Sequence, residues 1–162
     1  EHERLVTQSI HAIVDIALCK GHARPHLGDF TMSMKNHLGT FEPLPAHSLT
    51  NGADYLIAVN QTREILGEMD PKNGRVLFPR QQLCIVDGLW SSRTGPCDLP
   101  SDQTNFIAMG VFAGALDYQV ATRIRAARMG WTPNMATTRR FLSDFGYSEK
   151  DLPEGGKIIE PA

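Results

Sequence analysis

Hydrophobic and polar positions alternate or cluster in three short stretches of the chain, and these stretches predict β-strands. Residues 9–20 alternate with period two and contain several β-branched side chains, and Gly21 ends the stretch. Residues 82–89 contain the apolar run LCIV, which is typical of a strand buried on both faces in a parallel sheet. A further apolar run, residues 105–112, predicts the third strand.

Apolar residues recur at helical spacing between and after these strands. The predicted helices are residues 32–38, 51–69, 116–129 and 135–145. The predicted loops, rich in Pro, Gly, Asn and Asp, are residues 70–80 and 90–104. In the third helix one face carries Val120, Ile124 and Ala127. Arg125 falls mostly off that face, and Gly146 is the predicted C-cap of the last helix.

Strands alternating with helices predict an α/β protein with a mostly parallel or mixed sheet and flanking helices. Sheets usually hold about five or six strands, so three make a thin sheet. The chain also starts at Glu1 without a methionine. We therefore expect residues 1–147 to be a single α/β domain, the C-terminal portion of a larger one. We expect an upstream segment or a partner chain to complete the sheet, and residues 148–162, with two prolines and two glycines, to form an extended tail.

Composition argues against several classes of protein. The 162 residues carry 16 Lys and Arg against 18 Asp and Glu, a net charge of −2, whereas a nucleic-acid backbone binder carries a basic excess. No apolar run approaches the roughly 20 residues that a membrane span needs. Three cysteines are too few for a disulfide scaffold or a four-cysteine iron–sulfur site. Cys19 and Cys84 fall in predicted strands and are expected to be buried, which leaves Cys97 as the candidate reactive thiol.

The densest cluster of ionisable and polar residues follows the first predicted strand. Its members are Lys20, His22, Arg24, His26 and Asp29, followed by Lys35, Asn36 and His37. In open parallel sheets, ligands bind beyond the carboxyl ends of the strands, which is where Lys20 is expected. His22 and His26 are four residues apart and could ligate a metal, although Pro25 between them opposes a regular helix. The alternative is a set of solvated loop residues in which one histidine bonds the backbone.

Asp87 and Asp117 are the carboxylates that could complete this site. Asp87 ends the second predicted strand, at the sheet edge expected to hold Lys20, where it could act as a base, a metal ligand or an orienting group. Each has a simpler explanation: Asp87 as a turn residue before Gly88, and Asp117 as a first-turn residue favoured by the helix dipole. The candidate catalytic residues are Lys20, His22 and Asp87.

Two segments carry a resemblance to a known family. Residues 14–22 form an apolar strand that ends in Lys-x-His, and residues 31–39 carry Thr-x-x-x-Lys-Asn-x-x-Gly. Together they resemble the signature of the uncharacterised domain family 362, a family of α/β proteins, over roughly residues 5–147. The family's usual landmark Asp-Pro-Val-Ala-x-Asp is kept here only at its second Asp, Asp117. The ligand-binding candidates that the resemblance supports are Lys35, Asn36 and Asp117.

The resemblance also implies a context and leaves three hypotheses. Members of that family often stand beside ferredoxin-type iron–sulfur modules, and some carry twin-arginine export signals, which leaves the compartment open between periplasm and cytoplasm. A more distant likeness, to nickel-dependent lactate racemases, rests on histidines and a lysine before a glycine-rich turn. The first hypothesis is a site for a small anionic ligand, or for a divalent metal held by His22 and His26. The others are an iron–sulfur-associated redox protein whose cluster lies outside this chain, and a structural subunit with the loop at an interface.

Overall fold

The computed structural model describes residues 12–23, 28–39, 52–73, 75–95 and 98–152. The strands are β1 Ile13–Leu18, β2 Lys20–Gly21, β3 Phe30–Thr31, β4 Gly67–Met69, β5 Val76–Pro79, β6 Gln81–Ser91 and β7 Asp102–Gly110. The helices are α1 Ser33–Asn36, α2 Gly52–Asn60, α3 (residues 113–129) and α4 Met135–Ser143. Helix α3 is α-helical over Ala113–Gln119, a π-helix over Val120–Arg125, and α-helical again over Ala126–Met129. Short 3₁₀ helices cover His37–Gly39 and Glu149–Asp151.

Strands β1, β6 and β7 form a mixed sheet with β6 in the middle. Strand β6 runs parallel to β1 and antiparallel to β7. The apolar run predicted from residues 82–89 is therefore the central strand, and it extends further than predicted at its carboxyl end. The prediction of an α/β protein with a mixed sheet and flanking helices is confirmed. Completion of the sheet by a further segment or chain stays a prediction.

The helices cover one face of this sheet. Cys84, Val86 and Phe106 are buried on that face. They belong to one hydrophobic core with residues of α3 such as Leu116 and Ile124. The opposite face of the sheet carries large aliphatic side chains that are exposed. The layer of helices therefore leaves one side of the sheet uncovered within the described part of the chain.

The segment between α2 and β6 differs from the prediction. Helix α2 covers only the first half of the predicted helix 51–69, whose last three residues form β4. Strand β4 pairs antiparallel with β5, which lies in the predicted loop 70–80. The side-chain oxygens of Asp70 and Asn73 accept backbone N–H groups two residues further on. These polar residues therefore shape the turn of a hairpin, where the sequence analysis expected only a loop.

Helix α4 begins at the predicted residue, Met135, and ends at Ser143, two residues before the predicted end. The Asn134 side chain accepts a hydrogen bond from the backbone N–H of Thr137 at 3.2 Å, which caps the first turn. Gly146 has a φ of +74°, in the left-handed region. Across it, the Tyr147 N–H donates to the carbonyl oxygen of Leu142 at 3.1 Å. The predicted C-cap at Gly146 is confirmed.

The start of the predicted tail, residues 148–162, is folded rather than extended. Glu149–Asp151 form a 3₁₀ helix, and Leu152 is buried in a cluster with Tyr118. The free energy gained by burying Leu152 holds this segment against α3. This gain is larger than the tendency of the Pro- and Gly-rich sequence to form an extended tail. Residues 153–162 lie outside the described residues, so the proposed division between domain and tail stays a prediction.

Candidate functional site

A buried arginine lies at the carboxyl ends of β1 and β6. Arg125 is 0% exposed, and its Nη1 and Nη2 groups donate to Cys19 Sγ at 3.4 Å and to the Ser92 carbonyl at 3.2 Å. Its guanidinium carbon lies 4.2 Å from the centre of the Trp131 ring. Its Nε has no hydrogen-bond partner, and no carboxylate of the described ranges forms an ion pair with it. The hydrogen bonds from Arg93 and Ser101 lower the pKa of Asp102, and the charge of Arg125 makes a smaller contribution in the same direction.

The π-helical segment of α3 turns Arg125 inwards. Its buried residues are Val120, Ala121, Ile124 and Arg125. A regular helix with Val120 and Ile124 on its apolar face places Arg125 at the margin of that face, as the sequence analysis expected. The wider π-helical turn brings Arg125 into the core beside Ile124, so that expectation is wrong. Single π-helical segments inside α-helices occur frequently at functional sites.

Backbone hydrogen bonds join the ends of the two parallel strands. The Cys19 N–H donates to the Asp87 carbonyl, and the Gly21 N–H donates to the Ser92 carbonyl, both at 2.8 Å. A Cβ added at Gly21 would lie 2.1 Å from the carbonyl oxygen of Arg93, so a side chain does not fit there without moving the backbone. The chain after β1 is thus held directly against the end of β6, where Arg125 bonds the same Ser92 carbonyl.

Lys20 and His22 flank this junction. Lys20 pairs with Thr31 in the β2–β3 hairpin, and its side chain is partly buried. His22 is 4% exposed, and its backbone N–H donates to the Asp29 carbonyl at 2.9 Å. Asp29 has a φ of +68°, a conformation that Asp tolerates better than most residues. His22 is therefore built into the hairpin and is not a solvated loop residue.

Asp117 is fully buried and holds the start of α1. Its two carboxylate oxygens accept the backbone N–H groups of Ser33 at 3.0 Å and Met34 at 2.8 Å. Burial raises the pKa of Asp117 well above its usual value, although these two N–H groups act in the opposite direction. Lys35 and Asn36 lie on the same short helix. The structure therefore brings these three candidates together around α1, one element beyond the β2–β3 hairpin.

A second buried carboxylate, Asp15 of β1, was not singled out from the sequence. It is 3% exposed, and Asn36 donates its side-chain amide to Asp15 Oδ1, while Asp15 Oδ2 forms no well-aligned hydrogen bond within the described residues, although the nearby Ser33 hydroxyl also lowers its pKa. Burial raises the pKa of Asp15, whereas the Asn36 amide and His37 act to lower it. The available signal was a carboxylate in phase with Ala17 and Cys19, the two residues that also face the core.

Two hydrogen bonds connect His37, the residue after α1, with the start of β6. His37 Nε2 and Gln81 Oε1 are 2.5 Å apart, and Gln81 Nε2 donates to Cys84 Sγ at 2.9 Å. Burial raises the pKa of Cys84 to about 12, and the carboxylates of Asp15 and Asp117 act in the same direction. The expectation that Cys84 is buried is confirmed, and its raised pKa predicts a thiol that is unreactive at neutral pH.

Asp87 stands apart from the other candidates. It was expected to end the second strand beside Lys20, but it lies within β6, opposite Leu18 of β1 and Ile107 of β7. Its Oδ1 accepts the backbone N–H of Leu89 at 3.0 Å. Because side chains that pair across strands share a face, Asp87 belongs to the exposed face of the sheet and not to the buried cluster. The expectation that Asp87 ends its strand is therefore wrong, whereas its pairing with Lys20 in one site stays a prediction.

The metal hypothesis gains no support from the described residues. His26 and Cys97 lie outside them, so neither the His22–His26 pair nor the thiol can be placed. Within the described ranges no group of three or more His, Cys, Asp or Glu side chains is arranged to hold a metal ion.

No helix in those ranges combines the length and apolar character needed to cross a bilayer.

Comparison with protein-family models, curated proteins and solved structures finds no match to this chain. The class that its own geometry defines is an α/β protein whose mixed sheet is covered by helices on one face.

Proposed function

We propose that the protein binds a small anionic ligand at the carboxyl ends of β1 and β6. The observation that carries this proposal is Arg125, a fully buried guanidinium that forms no ion pair with a described carboxylate and has an unpaired Nε. The described residues give Arg125 two hydrogen bonds, the Trp131 ring and a Coulombic interaction with Asp102, but no ion pair, and a buried charge is costly unless it is fully compensated. An anion bound at the strand ends supplies that compensation, and this is the edge at which α/β sheets bind ligands.

In this proposal the residues have different roles. Arg125 lies behind the site and attracts the anion through the protein interior, where its field is screened far less than in water. Lys20, which is only partly buried, contacts the anion directly. Gly21 allows the close approach of the two strand ends, and Trp131 holds the guanidinium plane from the other side. The proposal concerns binding, and no reaction is assigned.

Tryptophan fluorescence provides the test, because Trp131 lies against Arg125. The assay uses the Trp90→Phe variant, in which Trp131 is the only tryptophan. It is titrated separately with inorganic phosphate, pyrophosphate, citrate and lactate. We expect one of these anions to change the fluorescence saturably and to raise the melting temperature. Lys20→Ala should then weaken binding about 10-fold, the loss of one charge-assisted contact.

The matched control is Arg123→Gln, which removes an exposed arginine two residues away on the same helix. It should leave binding unchanged, whereas Arg125→Gln should abolish it. Circular dichroism establishes that each variant is folded, and Arg125→Lys retains the charge if the Gln variant unfolds. The proposal is wrong if no probe binds the folded wild type, or if Lys20→Ala and Arg123→Gln weaken binding equally.

Two hypotheses from the sequence stay open beside this one. A divalent metal held by His22 and His26, or an iron–sulfur cluster on a segment outside this chain, would appear in elemental analysis of anaerobically purified protein. Stoichiometric nickel, zinc or iron would favour the metal hypothesis, and iron with matching sulfide would favour the cluster. Metal-free protein that binds one of the four anions would favour the anion site.

A further inference from the structure

The outer face of the central sheet carries an apolar patch that crosses all three strands, bordered at the start of β7 by the exposed polar residues Gln103 and Asn105. Rows of side chains run across it in register: Ile16 of β1, Ile85 of β6 and Met109 of β7 form one row. Leu18 and Ile107 flank Asp87 in the next row. The most exposed residues of this face are Val14 at 56%, Ile16 at 64%, Leu18 at 55%, Leu89 at 43%, Ile107 at 47% and Met109 at 63%.

This face is too large and too continuous to be incidental. With the partly exposed Leu83 and Ile85 between them, these residues present on the order of 600 Å² of apolar surface, whereas isolated exposed aliphatic residues are normal on soluble proteins. The inner face of the same strands is already packed against helices. A parallel strand pair such as β1 and β6 is typical of sheets that are covered on both faces.

We propose that this outer face is the interface of a homodimer, in which the sheets of two copies of this chain pack face to face. Two copies would remove on the order of 1,200 Å² from water, which lies within the range of stable, specific interfaces. A two-fold interface must be complementary to itself, and a mainly aliphatic patch satisfies that requirement without matching charges. Facing sheets pack about 10 Å apart, a distance that Ile, Leu and Met side chains fill.

Asp87 is the one ionisable residue among the described residues of this face. Its Oδ1 already accepts the Leu89 N–H, which satisfies part of the carboxylate locally. Dimer formation nevertheless removes the carboxylate from water, and that opposes association. Replacing it with the neutral isostere in Asp87→Asn should therefore strengthen the dimer, whereas a charge introduced at a purely aliphatic position should break it.

The test is sedimentation equilibrium of the full chain over roughly 1 to 100 µM, a range that separates specific dimers from monomers. We expect the wild type to be dimeric and Ile16→Lys and Met109→Lys to be monomeric. The Asp87→Asn dimer should have a dissociation constant no higher than that of the wild type. The control is Leu99→Lys, which adds a lysine at a residue that is 88% exposed between β6 and β7, off the proposed interface. It should remain dimeric.

Far-UV circular dichroism shows which variants are folded, and two lysine variants are used so that the loss of one leaves the other. A wild type that is monomeric throughout the concentration range overturns the proposal. This holds even if a different protein covers the face, because the proposal is a homodimer. A dimer that persists in folded Ile16→Lys and Met109→Lys also overturns it. Lys20→Ala, which tests the anion site, should leave the dimer intact, so the two proposals fail independently.

Discussion

Helix α1 depends on a carboxylate from a distant part of the chain, which makes Asp117 the most informative position to change. The helix has only four residues, and its N-cap Met32 provides no side-chain hydrogen bond. A helix this short is unstable by itself. Its first free N–H groups, those of Ser33 and Met34, are bonded instead by Asp117, 84 and 83 residues away. Asp117→Asn removes the charge and one acceptor while keeping the side-chain size.

The magnitude follows from what each group retains. A hydrogen bond to a charged group contributes about 1.5–3 kcal/mol, and a buried donor left without a partner costs a similar amount. In Asp117→Asn one oxygen still accepts an N–H, but the amide nitrogen faces the other N–H donor. Because burial opposes the ionised carboxylate, part of this loss is recovered. We expect Asp117→Asn to lower the free energy of unfolding by about 2 kcal/mol near neutral pH, and Asp117→Ala by about 3 kcal/mol.

The pH dependence gives the sharper test. Since the folded protein raises the pKa of Asp117 well above that of an unfolded chain, the folded state binds the proton more tightly. The stability from this group is fully present below the unfolded pKa of about 4, and it is lost as the pH rises through the raised folded value. The asparagine side chain does not titrate. The difference between wild type and Asp117→Asn should therefore be larger at about pH 5 than at about pH 8.

Urea unfolding followed by far-UV circular dichroism at both pH values measures this difference. Asp54→Asn is the matched control, because Asp54 is also a helical aspartate but its ion pair with Arg140 is exposed. Such pairs contribute less than about 1 kcal/mol, so this variant should remain close to the wild type. If Asp117→Asn matches the wild type within about 0.5 kcal/mol at both pH values, or if its deficit grows with pH, the assigned role of Asp117 is wrong.

Two further predictions concern the core. Because burial raises the pKa of Cys84 to about 12, its thiol should not react with iodoacetamide at about pH 8 until urea unfolds the protein. Mass mapping that finds Cys84 alkylated in the folded protein would contradict its burial. Gly114→Ala should lower the free energy of unfolding by about 1–3 kcal/mol, although alanine has the better helix propensity. The reason is that the added Cβ would lie 2.1 Å from the carbonyl oxygen of Phe141 in α4. An unchanged urea midpoint would show that the two helices can move apart without loss of stability.

The elements that the sequence predicted best are those whose pattern is local. Helix α4 has its own cap in Asn134 and its own terminator in Gly146, so both ends could be predicted from neighbouring residues. Strands β4 and β5 could not, because a hairpin exists only when two segments pair, and the turn residues of a hairpin also occur in loops. Helix α3 and the central strand β6 were predicted with errors of a few residues at their ends, whereas helix α2 is nine residues shorter at its carboxyl end than predicted.

The candidate site was predicted only in part, for a physical reason that differs between residues. Lys20 and His22 stood out because ionisable residues cluster after a strand, and they do lie at the junction of β1 and β6. Arg125 was missed because its burial depends on a π-helical segment, which shifts the phase of the helix and leaves no trace in a search at period 3.6. Asp15 was missed because an alternating strand normally buries its large aliphatic side chains and exposes its charges.

Strand β1 reverses that usual arrangement, and the reversal constrains the rest of the molecule. It turns Asp15, Ala17 and Cys19 to the core and exposes the large side chains of Ile16 and Leu18. The inner positions thus hold the smaller residues of the strand, and Asn36 of α1 donates to the one carboxylate among them. A strand that faced a single core would gain free energy by the opposite orientation, at about 25 cal/mol for each Å² of apolar surface buried. Strand β1 instead has a packed inner face and an aliphatic outer face, which is the arrangement expected when a second layer packs on the outer face. Changing Ile16 to lysine tests for that layer directly.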